Sequence, residues 1–78
     1  MRWDTERALG AAIRARREAM KLSLTGVSRA AMMDIGHLSK VERGLARAPV
    51  PTYDRIAKAL GWTPAEMWSA ATNRRRAA

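Results

Sequence analysis

One short stretch of the chain, residues 34–43, concentrates side chains that suit contact with an anionic polymer. At helical spacing one face of this stretch collects five residues: Ile35, Gly36, Ser39, Lys40 and Arg43. Lysine and arginine donate hydrogen bonds to phosphates and to guanine acceptors, and an aliphatic side chain can contact a thymine methyl group. Leu38 and Val41 lie on the opposite side of this helix, so we expect them to pack into a core.

The composition agrees with an anionic partner. Across 78 residues, 15 Lys plus Arg stand against 7 Asp plus Glu, and the formal net charge is +8. Such an excess points first to nucleic acid and second to an anionic membrane surface. A surface-active peptide, however, needs a continuous amphipathic helix, and this chain is interrupted by Gly44, Pro49, Pro51, Gly61 and Pro64.

The same composition argues against several other classes of protein. There is no Cys and a single His, His37, which excludes thiolate zinc sites, iron–sulfur clusters and histidine-pair metal sites. His37 has no triad partners and no paired carboxylates accompany it, so we expect neither an enzyme nor a metal or other cofactor. No apolar run approaches the roughly 18 residues of a membrane span, and we expect a cytoplasmic protein.

Neighbouring helices must position the residues of this face. The chain is predicted to be all-α, with five helices in total. Predicted N-caps are Asp4 or Thr5, Ser23, Asp34 and Thr63, and predicted stops are Gly44 and Gly61. The helices are expected over residues 4–20, 24–30, 35–43, 51–60 and 64–71. Residues 1–72 would form one domain, and residues 73–78, with three consecutive arginines, a basic disordered tail. Because about three residues separate the second and third helices, these two form a helix-turn-helix.

Residues 21–44 resemble the helix-turn-helix of the phage repressor/Cro-type (XRE) family. The motif residues are Leu22-Ser23, Val27 and Leu38-x-x-Val41-Glu42-Arg43-Gly44. The first helix of the family is matched by Leu9-Gly10-x-x-Ile13-Arg14-x-x-Arg17, and its fourth helix and stop by residues 56–61. One departure is Met32, which stands in the turn where a small residue is usual. A positive φ would cost Met about 1 kcal/mol or more.

The resemblance implies a compact five-helix, lambda-repressor-like domain that binds double-stranded DNA sequence-specifically. It would act as a small transcriptional regulator, a repressor rather than an activator, and as a two-fold homodimer on a palindromic operator. By position in the motif, Ile35, Gly36 and Lys40 would read bases, and His37 and Arg43 would contact phosphate. On the same face, Ser39 is a further base-reading candidate, and the further phosphate candidates are Ser23, Arg29 and Arg47. Trp68 is the expected dimer contact.

Three questions stay open at this point. Ile35 is either a base-reading residue or a core residue, since Leu38 is one helical turn away. Arg17 either touches phosphate or forms an internal ion pair with Glu42, as in similar proteins. The whole domain is either a DNA-binding regulator or a helical interaction module, such as an antitoxin or adaptor, that binds a protein partner through Trp68 and Ile35.

Overall fold

The computed structural model of the chain describes residues 4–77, and their side chains through residue 74. These residues form five α-helices and no strand: α1 (Asp4–Ala19), α2 (Leu24–Ala30), α3 (Ile35–Glu42), α4 (Val50–Ala59) and α5 (Pro64–Ala77). The predicted all-α class with five helices is thereby confirmed. Residues 1–3 of the predicted domain and residue 78 of the predicted tail lie outside the described residues.

A single core joins all five helices. Its fully buried large side chains are Leu9, Ile13, Val27, Leu38, Val41, Ile56, Leu60 and Met67. Burying an aliphatic side chain of this size contributes about 1.5–3 kcal/mol. Two of these residues, Leu38 and Val41, come from the inner side of α3, so the opposite side of that helix is left for solvent.

The ends of α1 to α4 share one local geometry. Each is followed by a residue with positive φ, and the next amide donates to the carbonyl five residues earlier, which is the hydrogen bond of a Schellman motif. The positive-φ residues are Lys21, Met32, Gly44 and Gly61. Glycine adopts this conformation without strain, and the predicted stops at Gly44 and Gly61 are confirmed.

The fifth helix corrects one prediction. α5 continues to Ala77, whereas the sequence was expected to leave the helix near Ala71 and to be disordered from residue 73. No Gly or Pro follows Pro64 to stop the helix, Ala and Arg are strong helix formers, and cations are favourable near a helix C-terminus. A smaller difference is that α4 begins at Val50, one residue ahead of the prediction, with Pro51 in its first turn.

The start of α5 is fixed by the capping box that the sequence predicts. The amide of Thr63 donates to Oε1 of Glu66 at 2.8 Å, and the amide of Glu66 donates to Oγ1 of Thr63 at 3.1 Å. Hydrogen bonds from the backbone and then the side chain of Thr63 lower the pKa of Glu66. These two hydrogen bonds provide acceptors for amides that would otherwise lack partners at the helix N-terminus.

An ion pair and a close backbone contact fix α3 against α1. Nε of Arg17 lies 2.8 Å from Oε2 of Glu42, and Nη2 donates to Oε1 at 3.1 Å, while Nη1 donates to the carbonyl of Leu22 at 3.1 Å. The hydrogen bond to Glu42 raises the pKa of Arg17, against the opposing effect of burial. A side chain at Gly10 would overlap the carbonyl oxygens of Val41 and Glu42. Of the two roles weighed for Arg17, the structure contains the ion pair.

We predict that Glu42→Gln lowers the free energy of unfolding by about 3 kcal/mol, because it leaves the guanidinium of Arg17, whose side chain is only 15% exposed, without its counter-charge. Urea denaturation measures the loss. Glu18→Gln is the matched control, since Glu18 pairs with Arg14 across the exposed surface of α1; an exposed pair contributes at most about 1 kcal/mol. Equal effects of the two substitutions would contradict the structural role of the Arg17–Glu42 pair.

Candidate nucleic-acid interface

The helix-turn-helix consists of α2, the turn over residues 31–34, and α3. Oγ of Ser23 accepts from the amide of Gly26 at 2.9 Å, and a carboxylate oxygen of Asp34 accepts from the amide of His37 at 3.1 Å. Both predicted N-caps therefore begin their helices as expected. Each cap residue is itself extended and is followed directly by the helix.

The turn is also held from α4 by a residue that sequence reasoning missed. Nε of Arg55 donates to the carbonyl of Ala31 at 2.8 Å, and Nη2 of Arg55 donates to Oγ1 of Thr52 at 3.1 Å. Arg55 thus provides a donor for the carbonyl of Ala31, the C-cap of α2; carbonyls at a helix C-terminus lack helical partners. Nothing local in the sequence signals this contact, because Arg55 and Ala31 are 24 positions apart.

The outer face of α3 is open to solvent. Gly36, Lys40 and Arg43 are exposed and Ser39 is half-buried. Ile35 is 43% exposed, so of the two roles weighed for it, the core role is excluded. Nε of Arg43 donates to the carbonyl of Ser39 at 3.3 Å, which keeps the arginine against the last turn of α3.

The residues predicted to contact phosphate lie on α2 and its N-cap, on α3 and its C-cap, and in the loop that follows α3. Arg29 is exposed in the last turn of α2, and Ser23 is exposed at the start of that helix. His37 and Arg47 are brought together, since Nε2 of His37 lies 3.3 Å from the carbonyl oxygen of Arg47. The side chain of Arg47 is itself paired, because its Nη2 lies 3.1 Å from Oε2 of Glu6 in α1.

Trp68 lies apart from the residues of α3. It is 37% exposed and packs edge-to-face on Tyr53, with 6.0 Å between the ring centroids. A shallow groove of about 300 Å³ runs beside it, with lining residues that include Leu9, Arg47 and Val50. Burial raises the pKa of Tyr53.

The described part of the chain shows neither a metal-binding cluster nor a membrane-spanning helix. Residues 4–77 contain no group of three or more His, Cys, Asp or Glu residues able to hold a metal ion. Within the same residues, none of the helices has the length and apolar character needed to cross a membrane.

Two short capped helices on a tight turn, with the outer face of the second exposed, define the fold of a helix-turn-helix DNA-binding regulator. The chain belongs to the helix-turn-helix domain family, which it matches over residues 8–68. The resemblance to phage repressor/Cro-type proteins that its motifs indicate is confirmed. No curated protein matches the chain significantly.

Solved structures of two regulators are similar to this chain over most of its length. The clp gene regulator ClgR from Corynebacterium glutamicum has 27% sequence identity and a TM-score of 0.90, covering 94% of this chain and 78% of that one. The restriction-modification controller protein C.AhdI from Aeromonas hydrophila has 26% identity and a TM-score of 0.76, covering 80% and 94% respectively.

We predict that Met32→Gly raises the free energy of unfolding by about 0.5–1 kcal/mol. Met32 has a φ of 53° and is 74% exposed, so the change relieves backbone strain and loses few contacts. The strain relieved is larger than the free energy lost because glycine makes the unfolded chain more flexible. Ala30→Gly, at an exposed helical position, should instead lower stability by about 1 kcal/mol. Urea denaturation of both variants provides the comparison, and a destabilised Met32→Gly variant would contradict the strain argument.

Proposed function

We propose that the protein is a small transcriptional regulator that binds double-stranded DNA sequence-specifically through α3, and that it represses rather than activates. The observation that carries this proposal is the exposed outer face of α3 within a helix-turn-helix. A recognition helix in the major groove presents its N-terminal residues to base edges. The exposed Ile35 and Gly36 occupy that end of α3, and Lys40 follows on the same face.

Each residue of this face has a different role in base recognition. Lys40 donates to O6 or N7 of guanine, Ile35 contacts a thymine methyl group, and Ser39 donates or accepts as the base requires. Gly36, without a side chain, lets the backbone approach the groove. Lys40 is the one cationic donor among these four residues, so the shape and deformability of the DNA carry part of the discrimination.

Sequence-independent affinity comes from contacts to the phosphate backbone. We assign this role to five residues of the helix-turn-helix and of the loop that follows it: Ser23, Arg29, His37, Arg43 and Arg47. The net charge of +8 supports the proposal, because each neutralised phosphate releases counterions and makes binding salt-dependent.

We further propose a two-fold homodimer formed through Trp68. A largely apolar groove lies beside this exposed indole, and a partly exposed tryptophan with an adjacent groove suits a self-complementary contact. A dimer of this kind would bind a palindrome whose half-sites are one helical turn apart, about 34 Å.

A protein-interaction module of the same fold is the second candidate function. It is favoured by the exposure of Ile35 and Trp68, which would then contact a protein partner. The two candidates differ in their response to salt, because burial of apolar surface lacks the steep salt dependence of phosphate contacts.

We predict that Lys40→Ala lowers affinity for a selected duplex by about 1–3 kcal/mol and relaxes preference at one base position. Arg43→Ala should weaken binding to all duplexes alike, and it should reduce the slope of log affinity against log salt concentration by about one. The measurement is fluorescence anisotropy at several salt concentrations, on duplexes selected from a random library.

Lys58→Ala is the matched control for this experiment, because Lys58 is an exposed lysine in the last turn of α4, outside the helix-turn-helix. It should leave base preference unchanged. Wild-type affinity in both Lys40→Ala and Arg43→Ala would refute docking through α3, and a salt-independent complex with a protein would favour the second candidate.

We predict that Trp68→Glu converts a dimer into a monomer, because it places a charge in the centre of an apolar contact. Sedimentation equilibrium measures the mass. Ser69→Glu adds the same charge at the neighbouring exposed position of α5 and should leave the dimer intact. A wild-type protein that stays monomeric at high micromolar concentration would rule out this interface.

A further inference from the structure

We infer that Glu6, in the first turn of α1, positions Arg47 for contact with a DNA phosphate. The inference rests on the proposed function and adds to it a residue that lies outside the helix-turn-helix. Glu6 contacts the loop between α3 and α4 from 41 positions earlier in the sequence, and no motif in the chain indicates that it does so.

Three helices contact this loop at residues 47 and 48. From α1, Oε2 of Glu6 lies 3.1 Å from Nη2 of Arg47. From α3, Nε2 of His37 lies 3.3 Å from the carbonyl oxygen of Arg47. From α4, Tyr53 interacts with the backbone of Ala48, whose side chain is buried. Both the backbone and the side chain of Arg47 are therefore held by neighbouring elements.

The two members of the ion pair differ in exposure. The side chain of Glu6 is 11% exposed, whereas that of Arg47 is 65% exposed. Oε1 of Glu6 is buried and has no hydrogen-bond partner among the described residues, so Arg47 provides the counter-charge that this carboxylate has there. A departure of Arg47 would leave a buried carboxylate unpaired, which is unfavourable.

Because Arg47 is the exposed member of the pair, most of the N–H donors of its guanidinium are available to bind a phosphate. An arginine has five N–H donors, and the ion pair with Glu6 engages one nitrogen, Nη2. The remaining donors belong to an exposed side chain whose position Glu6 restricts. Glu6 is therefore a positioning residue, and Arg47 can bind a phosphate while it stays paired.

Competition is the contrary arrangement, in which Glu6 occupies Arg47 and DNA must displace it. The two arrangements predict opposite changes in DNA affinity when the side chain of Glu6 is shortened. If Glu6 positions Arg47, a shorter carboxylate weakens DNA binding; if Glu6 competes, a shorter carboxylate releases Arg47 and strengthens DNA binding.

Glu6→Asp tests this inference without changing the net charge, because aspartate is one methylene shorter and draws back from Arg47. We expect duplex affinity to fall about three- to tenfold, and to be unaffected by Glu6→Asp when Arg47→Ala is already present. Amide hydrogen exchange of the free protein should become faster over residues 45–47. Glu18→Asp, on the exposed side of α1, is the control and should change neither measurement.

Unchanged or increased affinity of Glu6→Asp, or an equal loss in the Arg47→Ala background, would overturn the inference. If Glu6→Asp fails to fold, amide hydrogen exchange is measured in Arg47→Ala instead. Exchange of residues 45–47 that is faster than in the wild type supports the positioning by Glu6, and exchange at the wild-type rate refutes it. If the wild-type protein binds no duplex, the proposed function fails, and with it the phosphate contact of Arg47. Loop exchange then decides separately whether Glu6 holds the loop.

Discussion

The close approach of α1 to α3 is the constraint on which the rest of the structure depends. At Gly10 the backbone of α1 lies so near the last turn of α3 that no side chain fits between them. Seven residues later on α1, Arg17 forms two hydrogen bonds with Glu42 at the same end of α3. A steric contact and a directional ionic contact together fix both the distance and the rotation of α3. That rotation places Leu38 and Val41 in the core and leaves Ile35 and Lys40 exposed.

The connections on either side of α3 are stiffened in different ways. Before α3, the turn carries a methionine in the left-handed region, and Arg55 holds the carbonyl of Ala31. After α3, Gly44 takes positive φ without strain, and Glu6 and His37 hold Arg47. Strain at Met32 persists because the surrounding hydrogen bonds over-determine the turn. Both ends of the helix are thus restrained by contacts from α1 or α4 as well as by local hydrogen bonds.

The sequence was informative wherever the determining interaction is local. The caps at Ser23, Asp34 and Thr63 depend on residues three positions away, and the alternation of core and exposed residues on α3 depends on helical periodicity. The extent of α5 was missed because the chain has no breaker there, and runs of like charge resemble disordered tails in composition alone. Glu6 and Arg55 were missed because their partners lie 41 and 24 positions away, where spacing carries no information.

Under the proposed function, the length of α3 limits how many base pairs one copy of the protein can contact directly. Eight residues at about 1.5 Å each extend about 12 Å, and base pairs repeat about every 3.4 Å, so the helix spans about four base pairs. A four-base-pair word recurs by chance about once in 256 positions, far too often to single out one site among the millions that a genome presents. Because Asp34 and Gly44 bound the helix on its two sides, the proposed DNA reading could gain further direct base contacts from a second helix of the same kind on the same DNA.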